Sequence, residues 1–325
     1  MKSHQNPLWI SEGDPTGISY ELLEKSYENL LQLSQNKPVF LVRSQNNFLP
    51  NFFLEHSIQT KLPKSGLYYI NSKYFNQFKD HSFELGKPDT KSGLCSYLSL
   101  TYTCKLIKKY GGNLITLPLS KEWVLKCENI KFSGHTEFLA DYFNTNTYMI
   151  MYSKEWKVLV LTTHIPLKDV VRKLKKIKWK KLFSAIQKSN FFPNPKIGFC
   201  GINPHAGEGG KIGREEDTIL SPVLKKYSIK NFLLQGPFSA DSIFTEEWKG
   251  RFDLIVACYH DQGLAPFKAL VGKKGINLTI GLPFTRVSPD HGPAFEIAGK
   301  KVADPSSLHN CLEFIESISA PEFPE

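Results

Sequence analysis

Short apolar runs alternate with longer amphipathic segments along almost the whole chain, and this rhythm constrains the fold more than any other feature. Residues 7–10, 38–42, 67–70, 113–117, 147–152, 158–162, 196–200, 231–235, 253–258 and 276–280 form apolar-rich runs of strand length. Residues 18–33, 92–110, 136–143, 167–188, 215–226 and 307–318 carry apolar side chains at helical spacing. Within 92–110 the stripe is Leu94, Tyr97, Leu98, Tyr102, Leu106 and Ile107. A strand covered by helices on both faces has no polar side, and parallel neighbours need a long crossover between them. The pattern predicts an α/β fold with mostly parallel sheets. At 325 residues the chain suits one large unit or two linked lobes.

Other features narrow the class. No apolar run approaches the roughly 18 to 20 residues that a membrane span needs. The N-terminal residues are polar and lead to Glu12 and Asp14, not to the apolar stretch of a secretory signal. A soluble, cytoplasmic protein is expected, with residues 320–325 as a loose end. The six cysteines (Cys95, Cys104, Cys127, Cys200, Cys258, Cys311) are scattered and form no C-x-x-C pair, so reduced thiols are expected.

The net charge of +10 raises the question of nucleic acid. Much of it lies in residues 168–181, where Arg172, Lys173, Lys175, Lys176, Lys178, Lys180 and Lys181 surround Val170, Val171, Leu174 and Ile177. That spacing predicts a helix with one buried stripe and a solvated basic face. No nucleic-acid-binding motif accompanies it. A basic protein also draws in anionic substrates such as phosphate esters. Neither a Rossmann glycine fingerprint nor an ATPase-type phosphate loop is present; Gly207, Gly209, Gly210 and Gly213 have a different spacing.

Three histidines share a setting. His164, His205 and His260 each stand just past the carboxyl end of an apolar strand, the edge at which open α/β sheets bind ligands. One such histidine reads as a loop residue bonded to a nearby carbonyl. Three in equivalent places suit a shared divalent cation with a coordination position left for substrate or water. A second group, Ser133-Gly-His-Thr-Glu137, directly precedes an apolar helix, where free amides and the helix dipole suit a phosphate. A plain cap by Ser133 or Thr136 is the simpler account of that stretch. Near the C-terminus, Lys268 and Arg286 are of the type that clamps an anion.

Together these stretches resemble the PdxA family of NAD-dependent 4-hydroxythreonine-4-phosphate dehydrogenases. The resemblance rests on Gly13-Asp-Pro-Thr-Gly-Ile18, Gly134-His-Thr-Glu137, Thr163-His-Ile-Pro166 and Asn203-Pro-His-Ala-Gly-Glu-Gly-Gly210. It continues through Gly236-Pro-Phe-Ser-Ala-Asp241, Tyr259-His-Asp-Gln-Gly263, Asn277-Leu-Thr-Ile-Gly-Leu-Pro283 and Asp290-His-Gly292.

The resemblance implies the two-lobed fold of the isocitrate and isopropylmalate dehydrogenases, with mostly parallel sheets and an active-site cleft between the lobes. Residues 1–125 with 270–325 would form the NAD-side lobe, and residues 126–269 the lobe with metal, substrate and dimer contacts. It implies that His164, His205 and His260 bind one divalent metal (zinc, magnesium or cobalt), His164 coming from the partner of a homodimer. His135, Thr136, Lys268, Asn277 and Arg286 would contact substrate, and His291 and Gly292 the NAD or NADP. Lys121, Asp241 and Asp261 are candidates for proton transfer.

The implied reaction oxidises 4-phosphooxy-L-threonine to 2-amino-3-oxo-4-phosphooxybutanoate and decarboxylates it to 3-amino-2-oxopropyl phosphate, in pyridoxal phosphate synthesis. Relatives acting on threonate or erythronate 4-phosphate, or on carboxylated cyclic diols, give an alternative. A metal-dependent hydrolase is another.

Overall fold

A computed structural model describes residues 6–44, 48–58, 61–230 and 232–318, so the tail expectation for 320–325 lies outside the described residues. In chain order its strands are β1 (Leu8–Ser11), β2 (Pro38–Val42), β3 (Leu54–Glu55), β4 (Gly66–Ile70), β5 (Asn113–Thr116) and β6 (Tyr148–Tyr152). They continue with β7 (Lys157–Val160), β8 (Lys196–Cys200), β9 (Leu233–Phe238), β10 (Leu254–Ala257), β11 (Ile276–Ile280) and β12 (Arg286–Pro289).

The chain divides into two units, Met1–Asn144 with Leu282–Glu325, and Thr145–Gly281. In the first, the order β3-β4-β2-β1-β5-β12 is parallel throughout. Every residue of β1, β2 and β5 is buried, as expected of strands covered on both faces. Trp9 stacks on Phe40 at 4.7 Å and donates its indole N–H to the Gly111 carbonyl at 2.7 Å. The helix Thr90–Tyr110 is fixed at its start by Asp89, which accepts from the Ser92 amide at 2.6 Å in a capping box.

In the second unit the order is β11-β6-β7-β10-β8-β9; β6 runs antiparallel to both neighbours and the other pairs are parallel. Met151, Val158, Ile255, Ala257 and Phe267 pack its core.

The unit boundaries differ from the 125/126 and 269/270 of the sequence reading. Helix His135–Tyr142 packs Phe138, Leu139 and Tyr142 onto the first unit's apolar cluster, which carries that unit on to Asn144. Strand β11 pairs with β6 over five residues, Ile276↔Tyr152 to Ile280↔Tyr148, so it belongs to the second.

Two expected helices are broken. Residues 18–33 turn at the buried Ser26 into Ser19–Lys25 and Tyr27–Asn36. The basic stretch 167–188 becomes a 3-10 turn, a helix Val170–Leu174 and a helix Trp179–Lys188. Its apolar stripe serves two patches: Val170 and Leu174 meet Ile219 and Leu220, whereas Phe183 packs against Phe199 and Phe232. None of the six cysteines forms a disulfide. Among the described residues no helix is long and apolar enough to cross a membrane.

Candidate functional site

The order β7-β10-β8 sets the three histidine-bearing strand ends side by side in the second unit. The rings of His164 and His260 have centroids 5.7 Å apart and line one pocket with Thr162, Ile165, Tyr259 and Asp261. His260 is the first residue of a helix, His260–Val271, where the sequence suggested a loop. Its Nδ1 lies 2.7 Å from Asp261 Oδ1. A carboxylate on one ring nitrogen fixes the tautomer and leaves Nε2 as the ligating atom.

His205 stands at the head of a left-handed turn. His205, Ala206, Gly207, Glu208 and Gly209 have φ of 50, 50, 80, 45 and 63°. Non-glycine residues in that region cost about 1–2 kcal/mol each, so the turn needs an anchor. Glu216 supplies it from within the core. Its Oε1 accepts from the amides of Ile202 (2.7 Å) and Asn203 (2.6 Å), and its Oε2 accepts from Asn203 Nδ2 at 3.0 Å. A Cβ at Gly207 would lie 2.7 Å from Glu216 Oε2, so glycine is required where the turn wraps the carboxylate. Asp241 is held below the ordinary carboxylate range, first by the Ser239 hydroxyl and more weakly by the His205 ring.

Within one chain, among the described residues, no three His, Cys, Asp or Glu side chains gather closely enough to hold an ion. His164 and His260 are brought together, and His205 occupies the neighbouring strand end. Lys268 lies exposed on the His260–Val271 helix. Asn277, on β11, has a buried Oδ1 without a hydrogen-bond partner.

The first unit holds a different group. His135 opens the helix His135–Tyr142, with Gly134 at the cap (φ 145°). No side chain caps this helix, so the capping expected of Ser133 or Thr136 is overturned: the extended glycine cap carries no acceptor. The Nε2 of His135 is sealed from solvent and has no hydrogen-bond partner. Burial, and then the Arg286 charge, hold its imidazole well below the ordinary value, so it is neutral at physiological pH.

Arg286 is 2% exposed on β12, and its Nε and Nη2 both donate to the Thr116 hydroxyl, Nε at 3.1 Å. Burial pushes the guanidinium down to about 10, which leaves it charged. Lys121 is an exposed residue starting the helix Lys121–Leu125. His291 has Nδ1 3.1 Å from the Gly292 carbonyl and a buried Nε2 without a partner. Sequence reasoning missed Thr116, Glu216 and Gln262, whose partners are all distant in sequence or in backbone amides.

Compared with known proteins, the chain matches the family model described as pyridoxal phosphate biosynthetic protein PdxA over residues 20–315. A 4-hydroxythreonine-4-phosphate dehydrogenase of Sulfurihydrogenibium sp. (strain YO3AOP1) is 37% identical over 319 residues, covering 94% of this chain and 96% of the relative. One from Aquifex aeolicus is 35% identical over 323 residues, covering 96% and 98%. The solved structure of a 4-hydroxythreonine-4-phosphate dehydrogenase from Klebsiella pneumoniae superposes with a TM-score of 0.78 at 27% identity, covering 97% of this chain and 98% of that one.

Proposed function

This chain belongs to the PdxA family, and from that premise we propose that it oxidises 4-phosphooxy-L-threonine with NAD and one divalent metal ion. The product, 2-amino-3-oxo-4-phosphooxybutanoate, is a β-keto acid that loses CO2 to give 3-amino-2-oxopropyl phosphate, a step of pyridoxal phosphate synthesis. The single observation that carries this reading is the succession of His164, His260 and His205 past the adjacent strands β7, β10 and β8, in a chain matching the family model from 20 to 315.

The donor set fits an ion. Imidazoles suit zinc or cobalt better than magnesium, which prefers oxygen ligands, and the 2.7 Å contact with Asp261 prepares His260 as a ligand. When bound, the ion supplies Lewis acidity toward a substrate hydroxyl and NAD supplies a hydride acceptor. In this reading the enzyme is a homodimer, His164 of the set coming from the second copy.

The chain's own residues bind and orient. The amides at the start of helix His135–Tyr142, with Thr136, receive the phosphate. Arg286, braced by Thr116, adds a fixed charge to it. His135, neutral, contributes a hydrogen bond and no charge. Asn277 offers its buried amide to a polar group of the substrate. Asp261 is engaged by His260, and the Ser239 hydroxyl holds Asp241 below the ordinary carboxylate range, which makes Asp241 a weaker base. Lys121 is the third candidate for the hydroxyl proton, a role it fills only as the free amine.

The test is NADH formation from 4-phosphooxy-L-threonine with NAD and zinc, cobalt or magnesium, beside threonate and erythronate 4-phosphates. Turnover of the threonine derivative is expected, lost in His205→Ala and His260→Ala. No NADH with any of the metals, or full activity in both variants, would sink the proposal.

A further inference from the structure

One side chain ties two of the histidine-bearing strand ends together. Gln262, the third residue of helix His260–Val271, accepts from the Cys258 amide at 2.7 Å and donates from Nε2 to the Gly201 carbonyl at 2.6 Å. Cys258 follows β10 and leads directly to His260; Gly201 follows β8 and leads through Ile202, Asn203 and Pro204 to His205. On the other flank Thr162, two residues before His164, donates its hydroxyl to the Cys258 carbonyl at 2.8 Å. Thr162, Cys258, Gln262 and Gly201 therefore form a belt across the ends of β7, β10 and β8.

The belt begins where the backbone ladder stops. The register of β10 with β8 ends at Val256↔Phe199, and that with β7 ends at Ala257↔Val160. Beyond those pairs the side chains of Thr162 and Gln262 make the contacts between the strand ends. The Gln262 amide is oriented by its partners, since an N–H needs its oxygen and a carbonyl needs its nitrogen. A residue with only one of those functions cannot bridge both ends.

We infer that Gln262 is a positioning residue for the metal-binding histidines, fixing the separation between the His205 and His260 loops. The inference rests on the reading that these histidines hold the ion. Partners that orient metal ligands typically contribute 10- to 100-fold in metal affinity.

The test uses full-length Gln262→Glu, which keeps the acceptor for Cys258 and replaces the donor to Gly201 with an oxygen. Zinc affinity is measured by competition with a chromophoric chelator, and the visible spectrum of the cobalt-loaded protein reports ligand geometry. Zinc affinity about 10- to 100-fold weaker, with an altered cobalt spectrum, is expected. Gln262→Asn, whose amide is too short to span both ends, is measured the same way and serves if the first variant does not fold. Affinity within twofold of the parent with an unchanged spectrum would show that Gln262 is a stabilising contact and nothing more. His205→Ala separates the levels. If it loses zinc while Gln262→Glu does not, the inference alone falls; if it keeps zinc at parental affinity, the metal reading falls and the inference with it.

Discussion

Replacing Glu216 with alanine sets two comparable free energies against each other. The carboxylate accepts from two backbone amides, Ile202 and Asn203, at 2.7 and 2.6 Å. Hydrogen bonds to a charged group contribute about 1.5–3 kcal/mol each, so about 3–6 kcal/mol is lost, while Asn203 Nδ2 keeps its other acceptor, Glu215 Oε2 at 2.8 Å. The turn it anchors holds His205, Ala206 and Glu208 in left-handed geometry. At about 1–2 kcal/mol each, that strain also amounts to about 3–6 kcal/mol. Without the anchor the turn relaxes and recovers most of what the lost bonds cost.

Glu216→Ala should therefore open the loop without unfolding the unit. Its net effect on stability should stay below about 2 kcal/mol, a shift of about 7 °C or less for a unit of this size. Hydrogen exchange followed by mass spectrometry should show residues 202–213 exchanging freely while β7, β8 and β10 keep their protection. Glu216→Gln, which keeps one acceptor oxygen, should fall between. Parental protection of 202–213 in Glu216→Ala would refute the anchor, and collapse of the whole unit would refute the balance of strain against bonding.

Arg286→Lys keeps the charge but not the planar fork that meets a phosphate with two bonds. KM for the phosphorylated substrate should rise about 10- to 100-fold, the equivalent of one charge-assisted bond, with kcat less affected; an unchanged KM would remove Arg286 from the phosphate site. His135 gives a pH signature. Its folded pKa lies below its unfolded one, so the unfolded chain binds the extra proton, and stability declines as pH falls below about 6.5. His135→Gln lacks this term, so the stabilities of parent and variant should diverge between pH 7 and 5. Parallel acid curves would show that the ring is not held neutral.

The sheets were legible because burial on both faces leaves its mark within each strand: β2 is five consecutive buried residues, Pro-Val-Phe-Leu-Val. The histidines were legible for a related reason, since the end of an apolar run marks where a parallel strand meets its ligand edge. The helix after His260 was not. Gly263 and Pro266 read as helix breakers, yet a Cβ at Gly263 would lie 2.9 Å from Ala257 Cβ and 3.0 Å from Val158 Cγ1. That glycine is what allows the helix to sit directly on β7 and β10. Strand β12 was hidden by its chemistry, Arg-Val-Ser-Pro. A buried arginine is tolerable there because Thr116, 170 residues away, receives it.

Pairings of that kind have no local signature, but their absence at particular atoms leaves one. A buried polar atom without a partner costs about 1–3 kcal/mol. Among the described residues eight side-chain atoms are in that position, and three belong to His135, Asn277 and His291, each of which the family resemblance assigns to a ligand. Packing has sealed these atoms from water without giving them a protein partner, and a polar ligand reaching any of them would recover that cost. The helix that His135 opens shows the contrast with the cap expected of Ser133 or Thr136. A cap spends its polar atom on the helix's own amides, whereas here the cap is a glycine and the ring nitrogen is left over.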